Sequence, residues 1–272
     1  DLMDEQDAQN LQTGLIADLL LRDQDPTRAA AMATLTRALA ENDIMALGRQ
    51  ILARREYFDR RRAATNLQAL AKAMQLDALR ESHGELPQAA GLLAAAGAEF
   101  VATARPALAW YAGGGASDQK QAQRLKNWLA AFEKAEQGDG ETAWLYLHEV
   151  FFTDKGSPRK SLYTKALAAQ NPQLAEAMDA AAMAMAQLDE RLKALANYRL
   201  TAALYDFADA LLSGYATEKN RRGVLDYDDL VAMTDRMLSG QGAAQWVLFK
   251  IDNGLDHILV DEAQDTSPAQ WR

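Results

Sequence analysis

The feature that most constrains the fold of this chain is an apolar pattern with helical spacing that runs almost unbroken over residues 171–220. Asn171-Pro172 opens the pattern, and a proline suits the first helical position because its missing N–H would have no partner there. A pattern of this length predicts one long helix, or two helices joined by a kink, that bridges two subdomains. We therefore expect an architecture dominated by helices.

The rest of the chain is also divided into helical segments by capping residues and breakers. Alanine is abundant, whereas 16 glycines and 6 prolines are few for 272 residues, so the composition favours helix. Asp25-Pro26 and Asp226 are typical helix starts, and Gly113-Gly114-Gly115 interrupts the pattern. The predicted helices lie at about 5–21, 26–40, 44–58, 64–80, a short pair over 86–113, 117–136, 141–151, 227–238 and 243–250.

Only one segment has the pattern of a β-strand. His257-Ile258-Leu259-Val260 is a short apolar run that ends in acidic residues, which is typical of a buried parallel strand with carboxylates at its carboxyl end. A central strand needs neighbouring strands, and none is recognisable in the sequence, so we expect them in a larger parent protein. The predicted fold class is mainly α, with one terminal strand.

Composition excludes several classes of site. The chain has no cysteine, which excludes disulfides, cysteine-ligated zinc, iron–sulfur clusters and thiol catalysis in this stretch. A net charge of −9 argues against nucleic-acid binding over the whole surface but allows a local basic contact. No segment has the roughly 20 uninterrupted apolar residues of a membrane span, and residues 1–22 lack a secretory signal, so we expect no membrane association.

Two carboxylates follow the predicted strand directly. In P-loop enzymes, an aspartate at such a strand end reaches magnesium, and the next glutamate polarises the water that attacks the γ-phosphate. Asp261 and Glu262 are in these positions. On the pair alone, an exposed acidic turn after an ordinary strand is an equally reasonable interpretation. The residues that follow, Ala263-Gln264-Asp265-Thr266-Ser267-Pro268-Ala269-Gln270-Trp271, favour the nucleotide site.

The segment from Val260 to Trp271 closely resembles this motif in the DNA helicases related to UvrD and RecB. Upstream, residues 215–230 match the Y-xxx-K-xxx-G-x-LD(F/Y)DDL pattern of the same helicases. Within this group, residues 155–165 resemble the helical insertion of AddA, the helicase–nuclease subunit of the bacterial AddAB complex that processes double-strand breaks. Residues 2–8 resemble the point where that insertion begins. The resemblance thus extends over the whole chain, and its most specific part is the segment after the strand.

This resemblance implies an ATP-dependent DNA helicase in the full-length parent. Residues 1–195 would form the helical insertion subdomain of its first motor domain, and residues 196–272 would form part of a P-loop α/β nucleotide-binding core. It further implies ATP and Mg²⁺ as cofactors, single-stranded DNA and duplex ends as substrates, an AddB-like partner subunit and the bacterial cytoplasm.

The resemblance also assigns roles to four residues. Asp261 would hold Mg²⁺, Glu262 would be the catalytic base, Gln264 would link the nucleotide state to DNA contacts, and Asp265 would brace the motif. The chain contains no G-xxxx-GK-(S/T) loop to hold the nucleotide phosphates, so we expect it to be inactive by itself. The nuclease of AddA is expected beyond Arg272.

A basic segment is the candidate DNA contact. Lys155, Arg159, Lys160 and Lys165 cluster in an otherwise acidic chain, interleaved with hydroxyl side chains. Cations and hydroxyls together suit contacts to the phosphate backbone, which position DNA without reading its sequence. A solvated loop is the alternative.

Other conspicuous residues favour structural roles. The arginine-rich run 54–62 lies at a helix end, where cations interact favourably with the helix dipole. Trp110-Tyr111 is more typical of core aromatics than of a base-stacking platform, and the aspartates of segment 226–229 are more typical of helix capping than of catalysis.

The rival to the helicase hypothesis is a non-enzymatic helical module in which residues 1–200 bind a partner. A P-loop lysine encoded upstream would favour the helicase.

Overall fold

A computed structural model describes residues 1–21, 25–58, 60–77, 79, 88–135, 140–239, 246–247, 249–250, 257 and 259–262. These residues are mainly helical, which confirms the predicted mainly α fold class. The elements are α1 (Glu5–Leu21), α2 (Pro26–Ala38), α3 (Glu41–Ala53), a 3₁₀ turn (Arg55–Tyr57), α4 (Arg60–Ala73), α5 (Ala89–Ala112), α6 (Ala116–Ala135), α7 (Gly140–Phe151), α8 (Lys165–Gln170), α9 (Pro172–Arg222) and α10 (Tyr227–Ser239).

The chain divides into two compact units. Unit 1 comprises Asp1–Ala63 and Ala202–Arg272, and unit 2 comprises Ala64–Thr201. α9 is one continuous helix of 51 residues rather than a kinked pair, and it contributes residues to both units. Residues 1–63 are grouped with the C-terminal segment, which differs from the boundary we predicted at residue 195. The assignment of residues 1–195 to an insertion and 196–272 to a nucleotide-binding core stays a prediction.

Close packing of α1, α3 and α9 builds the core of unit 1. Ile16, Ile44 and Leu211 are fully buried. Gly48 on α3 lies so close to α1 that an added Cβ would be 2.6 Å from Ile16 Cδ1 and 3.4 Å from Leu211 Cδ2. The close approach of the helices therefore favours glycine at residue 48, since a larger residue would displace the Ile16 side chain.

An aromatic cluster forms the core of unit 2. The Phe100 ring of α5 lies 4.9 Å from the Trp128 ring of α6 and 5.0 Å from the Phe151 ring of α7, measured between centroids. Tyr111 is fully buried, and the Trp110 indole donates a hydrogen bond to the Leu167 carbonyl at 3.1 Å. The predicted core role of Trp110-Tyr111 is therefore confirmed.

α5 is the one described helix that is long and apolar enough to cross a membrane by length and composition alone. Glu99 and Arg105 interrupt its sequence. Its Phe100, Ala104 and Tyr111 belong to the aromatic core of unit 2. The core helix of a globular unit meets the same criterion, so the composition of α5 does not by itself indicate a membrane.

Several helix boundaries differ from the prediction. α3 ends at Ala53 and gives way to the 3₁₀ turn, whereas we predicted a helix over 44–58. α4 ends at Ala73, just before Gln75 adopts a φ of +55°, whereas we predicted a helix over 64–80. The predicted short pair over 86–113 is the single helix α5 in the described residues. Of the predicted helix 243–250, residues 246, 247, 249 and 250 are helical and the others lie outside the described residues.

The predicted terminal strand is not formed. His257, Leu259 and Val260 are the described residues of this segment, and none of them is in a strand. Leu259 is 99% exposed, where a buried central strand was expected. The physical reason is the lack of pairing partners: the described residues contain no strand that could satisfy its backbone N–H and C=O groups.

Candidate functional site

The helicase-like motif of residues 215–230 spans the end of α9 and the start of α10. Gly223 adopts a φ of +68°, a left-handed conformation that favours glycine. Its N–H donates to the Asn220 carbonyl at 3.2 Å, and the Val224 N–H donates to the Lys219 carbonyl at 3.1 Å. These two bonds form a glycine cap that ends α9.

Two aspartates cap the start of α10, each accepting a hydrogen bond from the backbone N–H of the other. Asp226 Oδ1 accepts the Asp229 N–H at 2.9 Å, and Asp229 Oδ2 accepts the Asp226 N–H at 3.0 Å. Each side chain thus satisfies a backbone donor that has no partner inside the helix. The predicted capping role of Asp226 is confirmed.

Arg55 binds both of these aspartates from the 3₁₀ turn that follows α3. Its Nη1 donates to Asp226 Oδ2 at 2.8 Å, and its Nη2 donates to Asp226 Oδ1 at 2.6 Å. The same Nη2 lies 3.3 Å from Asp229 Oδ1 and 3.7 Å from Asp228 Oδ2. A bidentate ion pair of this kind is the strongest arrangement of an arginine and a carboxylate.

Lys219 and Tyr215 complete the cluster from the last turns of α9. The side chain of Lys219 is only 7% exposed, and its Nζ donates to Asp226 at 2.9 Å and also to Asp229. The Tyr215 hydroxyl donates to Asp226 Oδ2 at 3.0 Å, and Lys219 Nζ lies 4.6 Å from the Tyr215 ring centroid. We call Arg55, Tyr215, Lys219, Asp226 and Asp229 the Asp226 cluster.

Asp226 is ionised, and both of its carboxylate oxygens accept hydrogen bonds from protein donors. Burial alone would raise the pKa of Asp226, but hydrogen bonds from Arg55 and Lys219 outweigh it and hold the pKa well below its usual value. Burial, together with the negative charge of Asp226, raises the pKa of Tyr215 to about 12. The carboxylate oxygens are occupied by protein donors, so the cluster stabilises the fold of unit 1 rather than offering an open metal ligand.

The N-terminal segment also joins this region. Leu2 and Leu225 form a parallel β-bridge, in which the Met3 N–H donates to the Leu225 carbonyl at 2.8 Å and the Leu225 N–H donates to the Asp1 carbonyl at 2.9 Å. The start of the chain, the turn after α3 and the helicase-like motif are therefore held together within unit 1.

Sequence reasoning missed Arg55. It treated the arginine-rich run as cations at a helix end, whereas the Arg55 side chain binds a carboxylate 171 residues away. Two aspartates close together in a motif indicate that a cation is needed nearby. No local signal identifies which of the 29 lysines and arginines supplies it.

The predicted nucleotide-site carboxylates lie at the end of the described chain. Asp261 and Glu262 are exposed, and Asp261 Oδ1 accepts the Glu262 N–H at 2.9 Å. Glu262 adopts a φ of +50°, far from the extended backbone of a strand end. Gln264 and Asp265 lie outside the described residues. The catalytic and cofactor roles of these four residues stay predictions.

Metal ligation is not evident in the described residues. No group of three histidine or acidic side chains among them is arranged to hold a metal ion. Asp261 remains a single candidate ligand, which is consistent with a site that the bound nucleotide and other segments would complete.

The basic segment 155–165 forms a compact turn followed by α8. Phe152 and Pro158 form an antiparallel bridge, and the Thr153 N–H donates to the Ser157 carbonyl at 2.8 Å. Gly156, with a φ of +74°, occupies the turn where a left-handed residue is required. Lys155, Lys160 and Lys165 are exposed and Arg159 is half-buried, with Lys165 already the first residue of α8.

The comparison with known families identifies the chain by its C-terminal part. Residues 116–272 match the family model of the UvrD/REP helicase N-terminal domain. This match covers more than half of the chain and includes both the 215–230 motif and the segment after the predicted strand. No match was found among curated proteins or among solved structures. The chain belongs to the UvrD/REP helicase N-terminal domain family.

Proposed function

We propose that this chain is part of an AddA-like, ATP-dependent DNA helicase that processes double-strand breaks in the bacterial cytoplasm together with an AddB-like partner subunit. The observation that carries the helicase function is the family match over residues 116–272, which includes the Asp261-Glu262 pair. The AddA-like part of the proposal is supported by the resemblance of residues 2–8 and 155–165 to the AddA insertion.

The side chains at the end of the predicted strand fit a magnesium–nucleotide complex. Mg²⁺ prefers carboxylate oxygens together with substrate phosphates, and Asp261 and Glu262 are adjacent and accessible. When bound, the cation neutralises charge on the transferring phosphoryl group.

Four residues of the motif then have separate parts in hydrolysis. Asp261 orients the metal–nucleotide complex, and Glu262 accepts the proton of the attacking water. Gln264 transmits the nucleotide state to DNA contacts, and Asp265 holds the motif in place.

Glu262→Gln in the full-length protein tests this assignment. Glutamine keeps the size of the side chain but cannot accept the proton, so single-turnover hydrolysis with DNA present should fall by at least roughly 100-fold. Nucleotide affinity, measured by fluorescence, should be retained. Asp261→Asn should weaken magnesium-dependent nucleotide binding as well. Near-normal hydrolysis by the Glu262→Gln protein would refute the catalytic role of the pair.

The chain of 272 residues should not hydrolyse ATP by itself, because its sequence has no phosphate-binding loop. Phosphate release is measured with magnesium and single-stranded DNA, and the full-length protein is the positive control. Sustained turnover by the 272-residue chain would contradict the proposed division of the nucleotide site. A gene without a P-loop lysine upstream would instead favour the non-enzymatic interaction module.

A further inference from the structure

Two guanidinium groups are held near the C-terminal end of α7, one directly and one through Gln121. Arg159 Nε donates to the Glu149 carbonyl at 3.2 Å. Arg124 Nη1 donates to Gln121 Oε1 at 3.0 Å, and the amide of the same Gln121 donates to the Val150 carbonyl at 2.7 Å. The two arginines come from different elements, the 152–159 turn and α6. Arg159 binds an α7 carbonyl directly, whereas Arg124 is linked to the next carbonyl through Gln121. We call Arg124 and Arg159 the arginine pair.

The arginine pair has no carboxylate partner within the described part of the chain. By contrast, Arg55 is paired with Asp226. Burial, followed by the positive charge of Arg124, lowers the pKa of Arg159, so the two like charges destabilise each other despite two acidic neighbours. An anion placed between the guanidiniums would relieve this repulsion.

Anchoring prepares the pair to bind such an anion. Each guanidinium uses one of its N–H groups for the protein, and the remaining donors have no partner among the described residues. Because Glu149 holds the side chain of Arg159 and Gln121 holds that of Arg124, less rotamer freedom is lost when a ligand binds. The dipole of α7 is a competing reason for cations at the end of this helix. Anion binding and neutralisation of the helix end are separated by measuring DNA affinity and melting temperature on the same variant.

We propose that the arginine pair binds a backbone phosphate of DNA, with the exposed Lys155 and Lys160 of the turn contacting neighbouring phosphates. The choice of DNA rests on the proposed helicase function, whereas the anion chemistry rests on the pair itself. The guanidinium fork matches two phosphate oxygens, which a lysine cannot do.

The contact should be independent of base sequence. The aromatic side chains near the turn are already engaged. Phe151 and Phe152 are buried, and the Tyr163 hydroxyl is bonded to Asp179. The ring of Trp110, which lies 5.4 Å from that of Tyr163, belongs to an indole bonded to the Leu167 carbonyl. These aromatic side chains are not available as a platform for base stacking. We therefore expect binding through the backbone alone.

Fluorescence anisotropy with the 272-residue chain tests the proposal. The probes are fluorescein-labelled single-stranded and duplex oligonucleotides of mixed sequence, titrated between about 50 and 200 mM salt. The variant is Arg124→Gln/Arg159→Gln, and the matched control is Arg221→Gln, an exposed arginine that is paired with Glu218. We expect the variant to lose about tenfold or more in affinity at low salt, equally for different sequences. The slope of log K against log salt should become shallower by about 1–2, because one or two phosphate contacts are lost.

A purely structural role predicts a different result. If the pair only neutralises the end of α7, the melting temperature of the double variant falls while the DNA affinity and salt slope of the folded protein stay unchanged. Lys155→Gln/Lys160→Gln is a second test variant that should fold normally, because both side chains are exposed. It should also lower the DNA affinity and the salt slope.

Several outcomes would overturn the proposal. They are unchanged binding by the arginine double variant, no binding by the wild-type chain at low salt, or equal competition by a polyglutamate peptide of the same charge as the oligonucleotide. Competition by millimolar inorganic phosphate alone would identify a free-phosphate site and would also overturn it. None of these readouts uses ATP hydrolysis, so failure of this proposal is distinguishable from failure of the Glu262 assignment.

Discussion

Loss of the Arg55 side chain should weaken unit 1. Arg55→Met keeps an unbranched stem of similar reach but removes the charge and both hydrogen bonds to Asp226. Lys219 would then be left to neutralise Asp226 and Asp229 alone. The substitution therefore leaves a carboxylate without its full charge compensation in a mostly buried cluster. Removing only one partner of a buried ion pair strongly destabilises the fold.

The magnitude follows from the burial of the pair. Removing one partner of a fully buried ion pair costs about 3–5 kcal/mol. The side chains of Arg55 and Asp226 are 24% and 13% exposed, so solvent screening reduces this cost. We expect the free energy of opening around residues 215–230 to fall by about 2–3 kcal/mol. Arg55→Lys keeps the charge but not the bidentate geometry, so it should lower the free energy of opening by about half as much.

Hydrogen exchange measured by mass spectrometry reports this local opening. A loss of about 2–3 kcal/mol corresponds to exchange that is roughly 30- to 150-fold faster in peptides covering residues 215–230. Arg54→Met is the matched control, because Arg54 is adjacent and exposed. Peptides from the aromatic core of unit 2 are an internal reference and should exchange at an unchanged rate. Equal exchange over 215–230 in the Arg54 and Arg55 variants would refute the stabilising role of the Asp226 cluster.

Two further predictions concern acid sensitivity and packing. The pKa of Asp226 is lower in the folded than in the unfolded chain, so its stabilising contribution is complete above about pH 4 and is lost as the pH falls below that value. The difference in exchange protection of unit 1 between wild type and Asp226→Asn should therefore shrink between pH 4 and pH 2.5, and a constant difference would contradict this. In α5, a Cβ at Gly97 would lie 2.3 Å from the Phe132 ring, whereas none of the neighbouring atoms lies within 4 Å of a Cβ at Gly91. Thermal melts should show Gly97→Ala destabilised by about 1–3 kcal/mol and Gly91→Ala unchanged or stabilised by up to about 1 kcal/mol; similar melting temperatures for the two variants would contradict the tight packing of α5.

The helices and their starts were predictable because their causes are local. Asp25 accepts the N–H groups of Thr27 and Arg28, two and three residues along the chain. Asp226 caps α10 through a residue three positions away, and Gly223 closes α9 through bonds to the preceding turn. Interactions of this range appear in the sequence as short patterns, so capping chemistry and apolar spacing located most of the elements.

The ends of α3 and α4 and the predicted strand show where local patterns fail. Apolar spacing continued past Ala53 and Ala73, but the helices stop there. The run at 257–260 has the composition of a strand, yet a strand depends on hydrogen bonds to another strand. Because the described residues provide none, composition alone did not produce the predicted element.

By itself, the sequence determined the mainly α class, most of the helix starts and the resemblance to a helicase domain, because each depends on residues that are close together in the chain. Only the tertiary structure decided which charges meet. Arg55 reaches Asp226 across 171 residues, and Arg124 on α6 shares the end of α7 with Arg159 from the turn. The physical reason is that a charged side chain has no sequence signal for its partner. The partner is set by how the helices pack, and packing also determines whether a cation is neutralised by a carboxylate or left available to an anion.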